Sequence, residues 1–236
     1  SVNGGEWAQL TAGEDITFGG DNGTLRLRGK SANGTATSYS SYAQISFRGA
    51  NVQVACSGDI RTLVDYENYA TVSTANARFC FLFNGSTNLT SAPGLPATTL
   101  ADNCYRSMFY NCTNLTTAPE LPATTLTKYC YYEMFKGCTS LTAAHKLPAT
   151  TLVNNCYYEM FSGCTSLTAA PELPATTLAV NCYDLMFYNC TSLTVAPVLP
   201  ATTLAENCYH GMFNNCTSLT VAPELPATTL AESCYK

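Results

Sequence analysis

"CYRSMFYNCTNLTTAPELPATTLTKY", residues 104–129, recurs with edits along the rest of the chain. The copies start 26 residues apart, at Cys104, Cys130, Cys156, Cys182 and Cys208, and a further copy opens at Cys234. Self-similarity at a fixed period is typical of architectures in which each unit packs only against its neighbours. The stretch therefore predicts a tandem-repeat protein.

Several apolar positions are constant between copies. In the first full copy they are Cys104, Met108, Phe109, Cys112, Leu115, Ala118, Leu121 and Leu126. The Cys-x-x-Leu spacing and the period are typical of leucine-rich repeats, whose periods run from about 20 to 29 residues. They predict an α/β solenoid, in which residues 115–121 add a short strand to a parallel sheet and residues 105–110 form a helical or 3-10 turn. Pro119 lacks an amide donor and should cut that strand short.

Neighbouring copies should stack about 4.8 Å apart, so that identical side chains form ladders of Cys, Met, Phe, Leu and Tyr. The predicted solenoid covers residues 77–236 and starts with a degenerate copy. Its segment 80–83 has the pattern of residues 104–109 with two residues missing, and Ser86 stands where the next copy has Cys112. Terminal repeats are usually atypical in this way.

Residues 1–76 differ in composition, because all 11 Pro and all five Met lie at or after Pro93. This shift predicts a domain boundary near residue 76 and a small mainly-β N-terminal cap domain. Alternating apolar residues predict short strands, and the Gly- and Asn-rich segment 19–23 predicts a hairpin turn. The predicted strands cover residues 16–18, 25–27, 45–47 and 52–56.

Two further features of this segment carry predictions. Trp7 is expected in the core, since a large aromatic side chain contributes most when buried, and a sugar-stacking platform is the alternative. Residues 58–64 space Ile60, Leu63 and Val64 like a short helix, for which Asp59 is the expected N-cap.

The repeat resembles a known family. The sequence FSGCTSLT at residues 161–168, followed by Leu173 and Pro174, looks like the BspA-like bacterial leucine-rich repeat. The resemblance covers residues 79–236, about two thirds of the chain. It implies a secreted or surface-displayed protein of host-associated bacteria, often an adhesin, and commonly a small β domain before the repeats.

The composition of the chain limits the classes of partner that it is expected to bind. The chain has 11 Lys plus Arg against 16 Asp plus Glu and a net charge of −5, so a nucleic-acid or anionic-membrane partner is not expected. No apolar run approaches the roughly 18 residues of a membrane span. The sequence begins at Ser1 without Met and stops two residues after a copy opens, which suggests a mature form or a fragment of a longer protein.

Thirteen cysteines raise the questions of metal binding and disulfides. Within a copy the spacing is Cys-x7-Cys without an accompanying His, whereas zinc sites use about two to four intervening residues, so no metal is expected. Disulfides between neighbouring copies remain an alternative in an exported chain, although parallel Cβ vectors would hold the sulfur atoms too far apart. We expect buried free thiols that act as small hydrophobic side chains.

Catalytic motifs are missing from the sequence. The two His, His145 and His210, come without a nucleophile or an acid fixed by the repeat. No Gly-rich phosphate loop, paired-carboxylate motif or nucleophile elbow appears. The sequence therefore predicts a protein that is not an enzyme and that binds no cofactor.

Positions that vary between copies are the candidate binding surface, because the constant repeat serves as an internal control. They are expected to face solvent, and exposed Tyr beside Asn and Ser is typical of adaptable binding surfaces, although drift on an unconstrained surface would give the same variation. The candidate residues are Arg106, Tyr110, Tyr132, Glu133, Lys136, Tyr158, Glu159, Asp184, Tyr188 and His210.

Two functions fit these observations. The first is a non-enzymatic extracellular or cell-surface adhesion protein that binds a host protein, a matrix component or a glycan. The alternative is a structural spacer or self-assembling subunit of a surface appendage or phage-like particle, with self-association through the uncapped C-terminal repeat, since terminal repeats need a polar cap.

Overall fold

The computed structural model describes residues 1–19, 22–49 and 51–236. In these residues the regular elements are two 3-10 helices, η1 (Ile60–Leu63) and η2 (Tyr69–Thr71), and four short strands. The strands are β1 (Ala36–Ser38), β2 (Ser41–Tyr42), β3 (Val54–Ala55) and β4 (Leu89–Ser91). Strands β1 and β2 pair antiparallel, and β3 pairs parallel with β4. None of the helices in this described part is long and apolar enough to cross a membrane.

Equivalent aromatic rings of successive copies stack on one another. The ring centroids of Tyr105 and Tyr131 are 6.0 Å apart, and those of Phe109 and Phe135 are 5.6 Å apart with parallel planes. Both ladders continue through the later copies, with the rings held 5.5–5.9 Å apart. Identical side chains therefore meet at a spacing of 26 residues.

The first half of each copy is a run of consecutive β-turns. The N–H of Cys104 donates to the carbonyl of Ala101, three residues earlier in the same turn segment, whereas the N–H of the next residue, Tyr105, donates to the carbonyl of Cys130 in the following copy. This alternation continues along the segment. The prediction of a helical or 3-10 turn at residues 105–110 is therefore wrong. Alternate N–H groups of this segment donate to the carbonyl three residues earlier and to a carbonyl of the next copy.

Left-handed backbone conformations make these turns possible. They recur every fourth residue, at Asn103, Ser107 and Asn111, with φ of 56°, 49° and 55°. Asn adopts positive φ more readily than most residues, whereas Ser and larger side chains adopt it at a cost. This conformation turns the chain at every fourth residue, so that alternate backbone N–H groups are free to donate to the neighbouring copy.

The bonds that join these turn segments all run in one direction, from an N–H of one copy to a carbonyl of the next copy toward the C-terminus. Examples are Phe109 to Met134 at 3.0 Å and Phe135 to Met160 at 2.9 Å. Within the turn segments, the N-terminal end of the stack thus presents carbonyl groups and the C-terminal end presents N–H groups. Outside these segments, some N–H groups donate to the preceding copy, as Thr142 does to Thr116 at 3.0 Å.

The N-terminal segment supplies donors to those carbonyls. The N–H of Thr35 donates to Arg78, the N–H of Ile45 donates to Leu82, and the side-chain amide of Gln44 donates to the carbonyl of Asn84. Buried carbonyl groups need partners, so this segment caps the stack.

Further contacts join the cap to the first copy. The ring of Phe47 stacks on that of Phe83, with centroids 6.4 Å apart. Ile60 and Val64 also belong to the same buried apolar cluster as the repeats. The domain boundary near residue 76 stays a prediction.

On the other side of each copy, contacts between copies are isolated parallel bridges, such as Ser91 with Thr117 and Thr151 with Thr177. Pro lies close to each of these bridges and offers no donor. The assignment of the whole chain to the leucine-rich-repeat solenoids stays a prediction.

The first copy differs from its predicted alignment. The ring of Phe79 stacks on that of Tyr105 with centroids 5.8 Å apart, and Phe83 stacks on Phe109. The copy is therefore in full 26-residue register without a deletion. Cys80 takes the position of Arg106, outside the cysteine ladders.

The N-terminal predictions had mixed outcomes. The helix cap is confirmed, since Asp59 Oδ1 accepts a bond from the N–H of Arg61 at the start of η1. Residues 16–18, 25–27 and 45–47 form no strand, and Leu25 makes only an isolated bridge with Val2. Strand β3 covers only Val54–Ala55 of the predicted 52–56. Within the predicted hairpin, Gly20 and Asp21 lie outside the described residues.

Trp7 is a further correction, because its side chain lies at the surface with 39% of it exposed. The Arg28 guanidinium lies 3.9 Å from its ring centroid and 4.1 Å from that of Tyr66. A cation between two aromatic rings takes the place of the expected core packing.

Candidate functional site

The cysteines are buried rather than poised for chemistry. All thirteen are free thiols, and all but Cys56 are buried. Burial raises the pKa of Cys112, Cys130, Cys182 and Cys190 to about 12. A thiol that keeps its proton is a poor nucleophile and a poor metal ligand, so these side chains serve packing.

The variable positions form columns, since each copy places its residue beside the equivalent one of the next. Arg106 begins one column, and its guanidinium carbon lies 4.3 Å from the ring centroid of Tyr132. It also lies 5.7 Å from the Tyr129 centroid and 5.4 Å from that of Tyr39. Three rings thus surround one cation, which makes no ion pair with any described residue.

Tyr132 and Tyr158 continue the same column as a stacked pair. Their ring centroids are 4.6 Å apart and their planes differ by 6°. Burial, together with the charge of Glu133, raises the pKa of Tyr132. We refer to Tyr39, Arg106, Tyr129, Tyr132 and Tyr158 as the aromatic strip.

A charged cluster lies beside the aromatic strip. Lys136 Nζ contacts Glu133 Oε1 at 2.9 Å and Glu159 Oε2 at 2.5 Å. Although burial alone would lower the pKa of Lys136, the hydrogen bonds to both glutamates raise it. The cluster fixes three of the candidate residues against one another. Lys136 Nζ also lies 5.8 Å from the ring centroid of Tyr110.

At the far end of the column, Nδ1 of His210 lies 2.9 Å from Oδ1 of Asp184. Burial raises the pKa of Asp184, and the hydrogen bond with His210 opposes that rise. Among the described residues, Asp184 is the only side-chain hydrogen-bond partner of His210. The pair therefore has the carboxylate and imidazole of a catalytic triad without a bonded nucleophile.

Solvent exposure differs from the expectation. The candidate residues are half-buried, because each is covered by its neighbour in the column, and Asp184 is buried with only 7% exposed. Two other variable positions, Ser107 and Ser162, are also buried. Tyr188 is half-buried and makes no ring stacking with a described residue.

Sequence reasoning missed two members of the aromatic strip. Tyr129 occupies a position held by Asn in four other copies, with φ of 59°, so comparison of the copies carried a signal for it. Tyr39 belongs to the N-terminal cap, and no pattern in the repeat points to it.

Comparison with known proteins gave no assignment. A scan against protein-family models, a search of curated proteins and a search of solved structures each found no match. The function therefore has to be inferred from the surface itself.

Two other features of the surface bear on ligands. A cleft of about 210 Å³ lies between the first ten residues and residues 25–28, beside Trp7 and away from the aromatic strip. Within residues 1–19, 22–49 and 51–236, no three His, Cys, Asp or Glu side chains are grouped as metal ligands.

Proposed function

We propose that the chain is a non-enzymatic binding protein of the bacterial cell surface or extracellular space, which presents the aromatic strip to a protein, matrix component or glycan. One observation carries the proposal. Arg106, Tyr132 and Tyr158 form a continuous stack of a cation and two rings at positions where an otherwise constant repeat varies.

The physical chemistry of these side chains supports binding. Tyr and Arg contribute most of the binding energy in many protein interfaces. Rings already held by stacking lose little conformational entropy when a ligand covers them. Arg106 has no ion partner among the described residues, so a carboxylate or hydroxyl oxygen of a ligand can accept hydrogen bonds from its guanidinium. The resemblance to BspA-like repeats supports the same role.

The experiment is a binding screen of the whole chain on arrays of matrix proteins and glycans. The test variant carries Tyr132→Ser and Tyr158→Ser, and the matched control is Tyr69→Ser, which removes an exposed tyrosine outside the aromatic strip. We expect any ligand found to bind the double variant at least about tenfold more weakly and the control unchanged. A blank array, or equal binding by both variants, would contradict the proposal.

The second candidate function is a spacer or self-assembling subunit. It is favoured by apolar side chains exposed along the stack, including Val195 at 61% and Val198 at 80%. Light scattering at high protein concentration separates the two candidates, because assembly requires oligomers whereas the binding role requires only the monomer.

A further inference from the structure

The guanidinium of Arg106 differs from the other half-buried guanidinium groups in having no acceptor. Arg61 donates to the carboxylate of Asp59, and Arg78 donates to two backbone carbonyl groups. The side chain of Arg106 makes no hydrogen bond and no ion pair with a described residue, and its Nε is buried. Aromatic rings attract this cation but leave its donors without an oxygen acceptor, which buried donors in folded proteins nearly always have.

The rings around Arg106 come from the cap and from the repeats. Tyr39 starts the turn between β1 and β2, and the carbonyl of the residue before it accepts a hydrogen bond from Cys80 Sγ at 3.6 Å. Cys80 stands directly before Arg106 in the same column, so the cap hairpin covers one end of that column. Tyr129 and Tyr132 belong to the turn segment of the following copy. The ring of Tyr39 is 59% exposed, so the group of rings is open to solvent beside it.

The charges along the column favour a ligand with a single anionic group. Beyond Arg106 the column continues with two phenol groups, and beside it lie Glu133 and Glu159, which share the one cation of Lys136. The whole chain also carries a net charge of −5. A polyanion that follows the column would meet these like charges, whereas one carboxylate placed at the guanidinium would not.

We propose that the aromatic strip binds a saccharide that ends in a carboxylated sugar, with its carboxylate on Arg106 and its hydroxyl groups on the phenols beyond. Such a sugar joins one carboxylate to several hydroxyl groups and to apolar C–H groups, and sialic acids and hexuronic acids share this chemistry. A planar guanidinium fits a carboxylate through two parallel hydrogen bonds, and the exposed ring of Tyr39 offers apolar surface beside it. This ligand class rests on the binding role proposed above for the aromatic strip.

Fluorescence anisotropy of labelled probes, titrated with the whole chain, tests the ligand class. The acidic probes are sialyllactose and a trisaccharide of glucuronic acid on lactose, and lactose itself is the neutral counterpart of both. A short capped peptide whose only carboxylate belongs to one glutamate represents acidic proteins.

The test variant is Arg106→Gln, which keeps a polar side chain but removes the charge. The matched control is Arg28→Gln, because the Arg28 guanidinium also lies between two rings, those of Trp7 and Tyr66, outside the aromatic strip. Thermal melting checks that both variants fold.

We expect at least one acidic saccharide to bind the unchanged chain and Arg28→Gln at least about tenfold more tightly than lactose, and Arg106→Gln to lose this preference. The preferred acid identifies the source of the carboxylate. Equal affinity for acidic and neutral saccharides would overturn the proposal, as would a preference that survives Arg106→Gln or an equal loss in both variants. Binding of the glutamate peptide alone, or no saturable binding of either acidic saccharide up to about 1 mM protein, would overturn it too.

Failure of the ligand class can be told apart from failure of the binding role. If neither acidic saccharide binds but another array ligand is lost in the Tyr132→Ser and Tyr158→Ser double variant, the carboxylated sugar is wrong and the binding role stands. If the arrays are also blank, both are wrong.

Discussion

The thiol of Cys138 donates a hydrogen bond to the carbonyl oxygen of Phe109 in the preceding copy, with Sγ and O 3.1 Å apart. The same bond recurs at 3.1–3.2 Å from Cys112, Cys164, Cys190 and Cys216. In the first copy, Ser86 Oγ donates to the carbonyl of Ile45 in the cap at 2.7 Å. One row of cysteines thus joins each copy to the one before it.

Substitutions of Cys138 test how much this hydrogen bond contributes to stability. Ser keeps a donor at the same position, as Ser86 does, whereas Ala removes it and leaves a small void. We expect Cys138→Ala to lower the free energy of unfolding by about 1 kcal/mol more than Cys138→Ser. Urea unfolding of both variants measures the difference. If the Ser variant is the less stable of the two, the thiol packs only as an apolar group.

Alkaline pH should unfold the chain through these thiols. Burial raises the pKa of Cys130 from 9.0 to about 12, so above pH 9 the unfolded chain loses protons that the folded chain keeps. Stability is fully present below pH 9 and falls as the pH rises toward 12. Melting temperatures between pH 7 and pH 11 check this, and a flat profile above pH 9 would contradict the burial of the thiols.

The left-handed positions should tolerate Gly better than Ala. Asn189 has φ of 60°, and its side chain makes no hydrogen bond with a described residue. We expect Asn189→Ala to cost about 1 kcal/mol, because Ala adopts positive φ less readily than Asn, and Asn189→Gly to cost less, because Gly has no Cβ. Thermal unfolding of the pair measures the order, and the reverse order would argue against the turn conformation.

Lys136 should hold two glutamates together. Its replacement by Met leaves Glu133 and Glu159 facing each other without a cation. We expect a loss of about 1 to 2 kcal/mol, less than for a fully buried pair because the Lys136 side chain is 27% exposed. Adding Glu159→Gln should recover most of the loss. If chemical denaturation shows no recovery, the Lys136 stem rather than its charge provides the stability.

Much of the packing could be predicted from sequence, because burial repeats with the period. The constant Cys, Met, Phe and Leu positions mark the ladders, and Asp59 marks the start of η1. The turn conformation could not be predicted in the same way, since Ser107, Glu133 and Leu185 occupy positive φ with side chains that give no local signal for it. Their conformation follows from stacking against neighbouring copies.

The candidate site was predicted in part. Variation between copies located the columns, but not the contacts within them. Stacking of Tyr132 on Tyr158 and pairing of His210 with Asp184 depend on which residues adjacent copies place side by side. The hydrogen bonds by which Gln44 and Ile45 cap the first copy could not be predicted either. Their acceptors are carbonyl groups about 40 residues further along the chain, and no strand-pairing pattern indicates them.

In the turn segments every backbone N–H that bonds to another copy donates to the next one toward the C-terminus, and amide hydrogen exchange measured by NMR tests this arrangement most directly. We expect slow exchange at Phe187, Asn189 and Tyr209, whose N–H groups donate to the next copy. Phe213 and Asn215 should exchange at least about tenfold faster than Tyr209 in the same copy. Equal protection of Phe213, Asn215 and Tyr209 would contradict the account.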